Sequence, residues 1–457
     1  MAEPKRLPLA VRPSNRDETT TRDARLVNAF VEMVGEQEFH VFKRPGTVVY
    51  SSVAAAAGNG AYNWNSDIYT IFGSVLYKNG VSVGTGMDST KTYTFSSCLG
   101  ATHKLFMQNS VKGYTYDTAG GLVQVTDAIF AALVLVKGCA YLDGYMNVMT
   151  TSAVINTSNA NDPTVWPALN NLVAQIEPDA GVALAKQLVY VLALKQWSVE
   201  VFYDAGNATG SPLGPTQGAK VSVGCRHADS VQELEGTLFW ISQARDGGTS
   251  AHLMDQLKPA QISTPAVERL LQEADYTTVY SWTGKLAGHK FYVVTLVNSN
   301  LTLVYDMASQ QWYQWTDSNG NYLPFTASTY TSDQQLLLQH ASNGKMYKME
   351  MATTTDDGLV ITVDIYTPNF DAGARLRKYV KSIDFIADQT SGSKLQIRHS
   401  DDDYQTWTNF RTVDLGQKRP RLTDCGTFRR RAWNFRHACE TPLRIQFVEL
   451  HIDIGTL

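Results

Sequence analysis

Between Arg411 and His437 the chain carries eight basic residues, Arg411, Lys418, Arg419, Arg421, Arg429, Arg430, Arg431 and Arg436, against two acidic ones, Asp414 and Asp424. Phe428, Trp433 and Phe435 are interleaved with them. Guanidinium groups pair with carboxylates and phosphates and stack on aromatic faces, so this mixture suits a protein interface or a nucleic-acid wall. Three readings stay open, in this order of preference: a contact with a neighbouring subunit or partner, a wall facing DNA, and a solvated strand face. The first two would use Arg419, Arg421, Arg429, Arg430, Arg431, Arg436 and Trp433.

Ser400-Asp401-Asp402-Asp403-Tyr404-Gln405-Thr406-Trp407 resembles the Asp-box, S-x-D-x-G-x-x-W, of sialidase-type propellers, with Tyr404 where glycine is expected. Its expected role is structural: Ser400 and Asp402 satisfy the backbone of a hairpin turn while Trp407 packs beneath it. The adjacent carboxylates are oxygen ligands of the kind Ca²⁺ takes, but an Asp-rich hairpin without further ligands reads as a turn, and no metal is expected. Nine histidines are dispersed, none at H-x₃-H or H-E-x-x-H spacing, which leaves zinc without support. G-x-S-x-G, P-loop and Rossmann patterns are missing, and no arginine triad for a sialoside carboxylate can be assigned. The expectation is a protein that is not an enzyme and needs no cofactor.

The elements that must position these residues are strands. Tyrosine is abundant, at 22 residues, and aromatics make up 11% of the chain, which favours pleated, half-buried surfaces. A two-run figure recurs at Asp67–Phe72 with Ser74–Lys78, Lys104–Met107 with Gly113–Tyr116, Gly144–Met149 with Ala153–Ile155, and Gln187–Leu192 with Ser198–Phe202. It returns at Thr237–Ile241 with His252–Met254, Lys290–Thr295 with Thr302–Tyr305, and Gln335–Leu338 with Lys345–Lys348. The copies start 37 to 53 residues apart, close to the ~40–50 of a four-stranded propeller blade. The predicted fold is therefore all-β: a β-propeller of six or seven blades with a C-terminal β-sandwich-like module and an extended N-terminal arm. A strand borrowed from elsewhere in the chain would account for the lower blade count.

The predicted units are an arm and lead-in over 1–50, the propeller over 51–352, and the C-terminal module over 353–457. Residues 1–24 are polar and without apolar period, the mark of an arm that is disordered or laid on a neighbour. In the C-terminal module, 359–366, 381–386, 394–398 and 443–447 read as strands. Thr264-Pro265 followed by Glu268 predicts a short capped helix between blades.

Net charge is −4, so the molecule as a whole lacks the positive field that would hold phosphates at long range. Five scattered cysteines, Cys98, Cys139, Cys225, Cys425 and Cys439, form no C-x-x-C pair and read as reduced thiols, consistent with synthesis in a cytoplasm. Met1–Ala10 lacks the apolar region of a secretory signal, and the most apolar run, 128–136, falls short of the ~20 residues that cross a bilayer, so no membrane insertion is expected.

Ordered short motifs connect the chain to a known family. Arg25-Leu-Val-Asn28-Ala-Phe-Val-Glu32 and Arg44-Pro45-Gly46-Thr47 are followed by Asn161-Asp162-Pro163 with Trp166-Pro-Ala168, Pro178-Asp179 and Ser198-Val-Glu200-Val-Phe202. Then come Val223-Gly-Cys225 with Ser230, Leu238-Phe-Trp240, Ser263-Thr-Pro265-Ala-Val-Glu268, Gly288-His289-Lys-Phe-Tyr292, and Tyr305-Asp306 with Trp312. In this order they resemble the packaged-DNA stabilisation, or tail nozzle, proteins of short-tailed bacteriophages, the podovirus tail accessory factors. The resemblance implies a virion tail component made in the bacterial host cytoplasm: a homohexameric ring that extends the channel below the portal and its adaptor, or head-to-tail connector, ring. Such a ring retains packaged DNA and conducts it at ejection, with transient, non-sequence-specific contact to double-stranded DNA. A needle, spike or fibre is its implied distal partner. The competing reading of the blades is a glycan-binding or glycan-cleaving propeller, or a propeller scaffold for soluble partners.

Overall fold

The structure, a computed structural model, describes residues 4–9, 24–34, 38–100, 102–207, 209–216 and 218–455. Six blades are built from consecutive antiparallel strands over 58–85, 94–124, 140–173, 181–215, 224–261 and 279–314. A seventh sheet joins Phe325–Tyr330, Leu336–His340 and Lys345–Glu350 to Gly46–Ser52, a strand taken from 300 residues earlier in the chain. Phe325–Tyr330 lies against Gly58–Trp64 of the first blade, which closes the ring. Each two-run figure marks the middle strands of one blade, because those strands are covered on both faces and so carry the densest apolar runs. Gln187–Leu192 is the displaced copy: it straddles a turn in which Leu188 has φ of 54° and Val189 is exposed, and the strand proper is Tyr190–Lys195.

Blades need more than apolar faces to hold their spacing, and buried glutamines supply it. The Gln339 side chain accepts from Gly60 N at 2.7 Å and donates to Ile71 O at 2.9 Å, tying the seventh sheet to the first. Gln108 Nε2 donates to Val136 O at 3.1 Å and Gly138 O at 2.6 Å, across the second and third blades. Gln187 Nε2 reaches Gly236 O at 2.8 Å and Met254 O at 2.7 Å, across the fourth and fifth. Gly138 sits where the third blade meets the fourth, with φ of 108°; a Cβ there would lie 1.8 Å from Leu184 O.

Pro265–Glu273 is helical, with Thr264 as its cap and Pro265 in the first turn, between the fifth and sixth blades. The apolar run 128–136 contains a second short helix, Ala128–Ala131, capped by Asp127.

The other unit is a two-sheet sandwich. One sheet orders Ala29–Val34, Glu38–Lys43, Arg444–Ile454, Lys378–Ala387 and Arg421–Thr423. The facing one orders Arg25–Val27, Val363–Tyr366, Ala432–His437, Lys394–Ser400 and Arg411–Asp414, and continues into the sixth blade where Val27 pairs with Gln314. The N-terminal lead-in is thus shared: 25–43 enters the sandwich and 46–52 the last blade. Of the arm, residues 1–3 and 10–23 lie outside the described residues, and Lys5–Arg6 pairs with Arg444–Ile454. The run 359–366 divides in two: Leu359–Val360 pairs with Thr355–Asp356 and Val363–Tyr366 enters the sandwich. Phe30, Ile365, Phe385, Trp433 and Ile445 share one continuous core with Trp282, Tyr313 and Trp315 of the sixth blade and Phe325 and Tyr347 of the seventh.

Candidate functional site

The arginine-rich region lies at one end of the sandwich, where the turn after Lys394–Ser400 faces the loop entering Ala432–His437. The turn folds as its residue types require. Ser400 Oγ donates to Asp402 Oδ1 at 2.8 Å, and Thr406 N donates to the same oxygen at 2.9 Å. Hydrogen bonds from Thr406 and Ser400 hold the Asp402 carboxyl down to about 2. Tyr404, in the glycine position, adopts φ of 66° and is held there by its hydroxyl donating to Thr367 O at 2.7 Å. Trp407 is half-buried against Tyr366 and Tyr404.

The predicted contact residues separate into distinct environments. Arg431 is 2% exposed; its Nε and Nη2 clamp Asp401 at 2.6 and 2.8 Å, and the guanidinium lies between the Phe428 and Trp433 rings. Trp433 is wholly buried in the sandwich core. These two are corrections to the expected contact surface: alternation within the strand turns Trp433 inward, and the loop before the strand turns Arg431 inward. Arg430 pairs with Asp403 at 2.9 Å, beside Arg431. Arg421 lies in the opposite sheet, where it grips Asp384 at 2.7 and 2.5 Å. Arg436 binds Asp364 through three contacts of 2.9–3.2 Å on the outer face of the other sheet. Arg419 and Arg429 are exposed.

That outer face is a feature the linear cluster hides. Alternation turns Val363 and Ile365, Leu395 and Ile397, Trp433 and Phe435 into the core, and leaves Tyr366, Arg398 and Arg436 facing outward with Arg25. Arg398 lies 5.0 Å from the Trp407 ring and 4.6 Å from Phe410, and Arg436 lies 5.0 Å from Phe410. Arg25 lies 4.0 Å over Tyr366. A cavity of about 410 Å³ opens beside this lattice, lined by Asp364, Arg436, Thr316 and Asp317 among others. The signal was available as period-two alternation in three separate segments, but their adjacency was not.

The propeller axis holds a second cavity, about 650 Å³, lined by the innermost strands of all seven sheets. Tyr62 and Phe95 stack in its wall at 5.6 Å, and Lys285 pairs with Glu235 at 2.6 Å. Its size is that of a small-ligand cleft. Among the described residues no three His, Cys, Asp or Glu side chains are grouped to hold a metal. Ser242 Oγ lies 2.8 Å from His252 Nδ1, but both are buried inside the fifth blade.

The buried histidines define a pH response. Burial pushes His252, His340, His399 and His437 down to about 4. Such a base is neutral in both states above pH ~6.5 and gains a proton only on unfolding as pH falls. Its contribution is therefore full above ~6.5 and lost between ~6.5 and ~4. His289 runs the opposite way: burial lowers it, but Asp306 and Glu32 more than offset this and leave it above 6.5. Its contribution is full below 6.5 and lost as pH rises through the folded value. Burial also lowers His227, and with five groups against one, thermal melts should show Tm falling steeply from pH 6.5 to 4.5, and His437→Gln should flatten that slope.

Several polar residues of the ordered motifs are buried staples of the fold. Arg44 bonds Asn28, His289 bonds Asp306 at 2.8 Å, Tyr292 donates to Ser230 O at 2.7 Å, and Lys195 joins Asp179 to Glu200.

Comparison with known proteins gives one family and several distant shapes. Curated proteins give no match. Among solved structures, a streptogramin B lyase has a TM-score of 0.42 at 10% identity, covering 68% of this chain and 97% of its own. The N-terminal domain of Nup159 has a TM-score of 0.41 at 9% identity, covering 72% and 99%. YCF48 bound to D1 peptide has a TM-score of 0.40 at 12% identity, covering 70% and 100%. The family described as "Bacteriophage P22 Gp10, beta-propeller" matches residues 14–354, about three quarters of the chain and all of the propeller strands. The chain therefore belongs to this phage-stabilisation family, that of the β-propeller protein Gp10 of bacteriophage P22.

Proposed function

We propose that this phage structural protein is the subunit of a six-membered tail ring that extends the portal–adaptor channel, retains packaged DNA and conducts it at ejection. The observation that carries this reading is family membership across residues 14–354. Electrostatics support it. Arg421, Arg430, Arg431 and Arg436 each face a carboxylate of their own chain, so the basic cluster projects less positive charge than its sequence promises. A conduit must let DNA slide, and each phosphate neutralised by the wall adds salt-dependent affinity that opposes sliding. In this reading the sandwich end faces the adaptor, the propeller forms the outer bulk, and a needle, spike or fibre binds distally.

Electron microscopy of the chain mixed with a preformed portal–adaptor complex tests this directly. Six copies on the adaptor's exit face are expected; a chain that stays monomeric and unbound would sink the proposal. Exposed Arg419 and Arg429 are the cluster members suited to contact the adaptor. Arg419→Glu with Arg429→Glu should slow docking at least ~10-fold, because charges at an interface rim act mainly on association, while leaving Tm unchanged. Docking that proceeds at the unmodified rate would remove these residues from the contact.

A further inference from the structure

Residues 4–9 form a strap on the sandwich, tethered to the remainder of the chain through residues 10–23. Lys5 and Arg6 pair antiparallel with Leu450 and Glu449, and Leu7 N donates to Val448 O at 2.9 Å. Leu7 and Leu9 are 4% and 5% exposed and belong to the sandwich core, while Pro4, Lys5, Arg6 and Pro8 are exposed. The Arg6 guanidinium lies 4.2 Å over the Phe447 ring and 3.8 Å from Glu449. The seat thus offers a strand edge, two apolar sockets, an aromatic face and a carboxylate. Each feature meets a matching group on the strap.

The strap behaves as a docked peptide more than as a sheet strand. Pro4 and Pro8 have no N–H, and the register turns both positions away from Arg444–Ile454, so the strap's outer edge cannot offer these donors to a further strand. On this side of Arg444–Ile454, Glu38–Lys43 pairs only with Ile445 and Arg444, which leaves 448–450 to the strap. A sandwich without a strap has an open strand edge and two unfilled sockets, a surface that must be covered.

Tether length bears on whose strap covers it. Fourteen residues lie between Leu9 and Ala24, which leads into Arg25–Val27 in the facing sheet. Facing sheets are ~10 Å apart, whereas fourteen residues can span up to ~50 Å. Most connections within compact domains use about 4–6 residues. Fourteen residues are more than a hop between facing sheets requires, and loop closure grows only slowly with length, so a second copy's seat is within reach of this length of chain.

We propose that in the assembled protein the strap is exchanged, so that the seat on each sandwich holds the strap of a second copy of this chain. Exchange preserves every contact described above. It also supplies a heterologous, strap-to-seat interface of the kind a closed ring requires. This rests on the ring-forming reading, and the experiment separates the two.

Arg6→Cys chains and Glu449→Cys chains are prepared separately, mixed under assembly conditions and oxidised, with light scattering to give the mass. Arg6 and Glu449 are directly opposed, so a bond between the variants reports docking between copies. Exchange predicts covalent dimers in the mixture and not in either variant alone. It also predicts interchain bonds in the Arg6→Cys, Glu449→Cys double variant. Rings whose double variant closes only within each chain would overturn exchange and leave the ring reading standing. Monomers with intrachain bonds alone would overturn both. A double variant that forms no bond would show that the strap does not occupy the seat, which also overturns exchange. As a second readout, Leu7→Asp should reduce the assembled mass to that of monomers while strand content is retained; rings that persist count against exchange.

Discussion

Lys195→Met is expected to lower stability by ~3–5 kcal/mol, the cost of leaving buried charge without its partner. The Lys195 ammonium is completely buried in the fourth blade. It donates to Glu200 Oε1 at 2.5 Å, to Ala174 O at 3.1 Å and to Glu177 O at 2.6 Å, and lies 2.8 Å from Asp179 Oδ1. Asp179 and Glu200 are themselves sealed from solvent. Methionine matches the stem of lysine but removes the cation, so two carboxylates would face each other without a counter-charge. Adding Asp179→Asn and Glu200→Gln should recover most of the loss, because neutral amides no longer repel. Urea midpoints of the single and triple variants measure this. A loss under ~1 kcal/mol in the single variant would mean that the site relaxes to admit water.

Arg431→Glu and Arg429→Glu are expected to behave oppositely, although the residues are two apart. Arg431→Glu sets a carboxylate against Asp401 within the loop that Arg431 now organises through Asp401, Cys425 O and Thr427 O. The expected cost exceeds ~3 kcal/mol, and the Trp433 indole, packed against the guanidinium, should report it as a change in fluorescence. Arg429→Glu alters an exposed side chain and should shift stability by less than ~0.5 kcal/mol. Hydrogen exchange over 363–437 measures both. Assembly defects of an Arg431 variant would therefore report folding, and contact with the adaptor is better probed at Arg419 and Arg429.

Much of the architecture was legible because repetition and alternation are written locally. The seven two-run figures marked the middle strands of the propeller's sheets while leaving six or seven blades open, and Thr264 with Pro265 announced the helix. The Ser400–Trp407 turn folded as its side chains suggested, even with Tyr404 in place of glycine. Less legible was anything that depends on which distant strands become neighbours. Gly46–Ser52 gives no local sign that it completes a sheet begun at Phe325. Ala29–Val34 and Glu38–Lys43 read as lead-in, yet they pair with one another and join the edge of Arg444–Ile454.

The arginine-rich segment shows the division most clearly. Its composition was determined by sequence alone: eight bases, two acids and three aromatics within 27 residues, with chemistry suited to pairing and stacking. Which bases stay outside was decided by the tertiary structure. Strand alternation sends Trp433 and Phe435 inward and Arg436 outward, and the loop before them turns Arg431 into the fold. The balancing carboxylates, Asp364, Asp384, Asp401 and Asp403, come from 27 to 72 residues away, so no local count of charge reveals them. Coulomb energy depends on distance in space, and only the packing of the two sheets sets that distance.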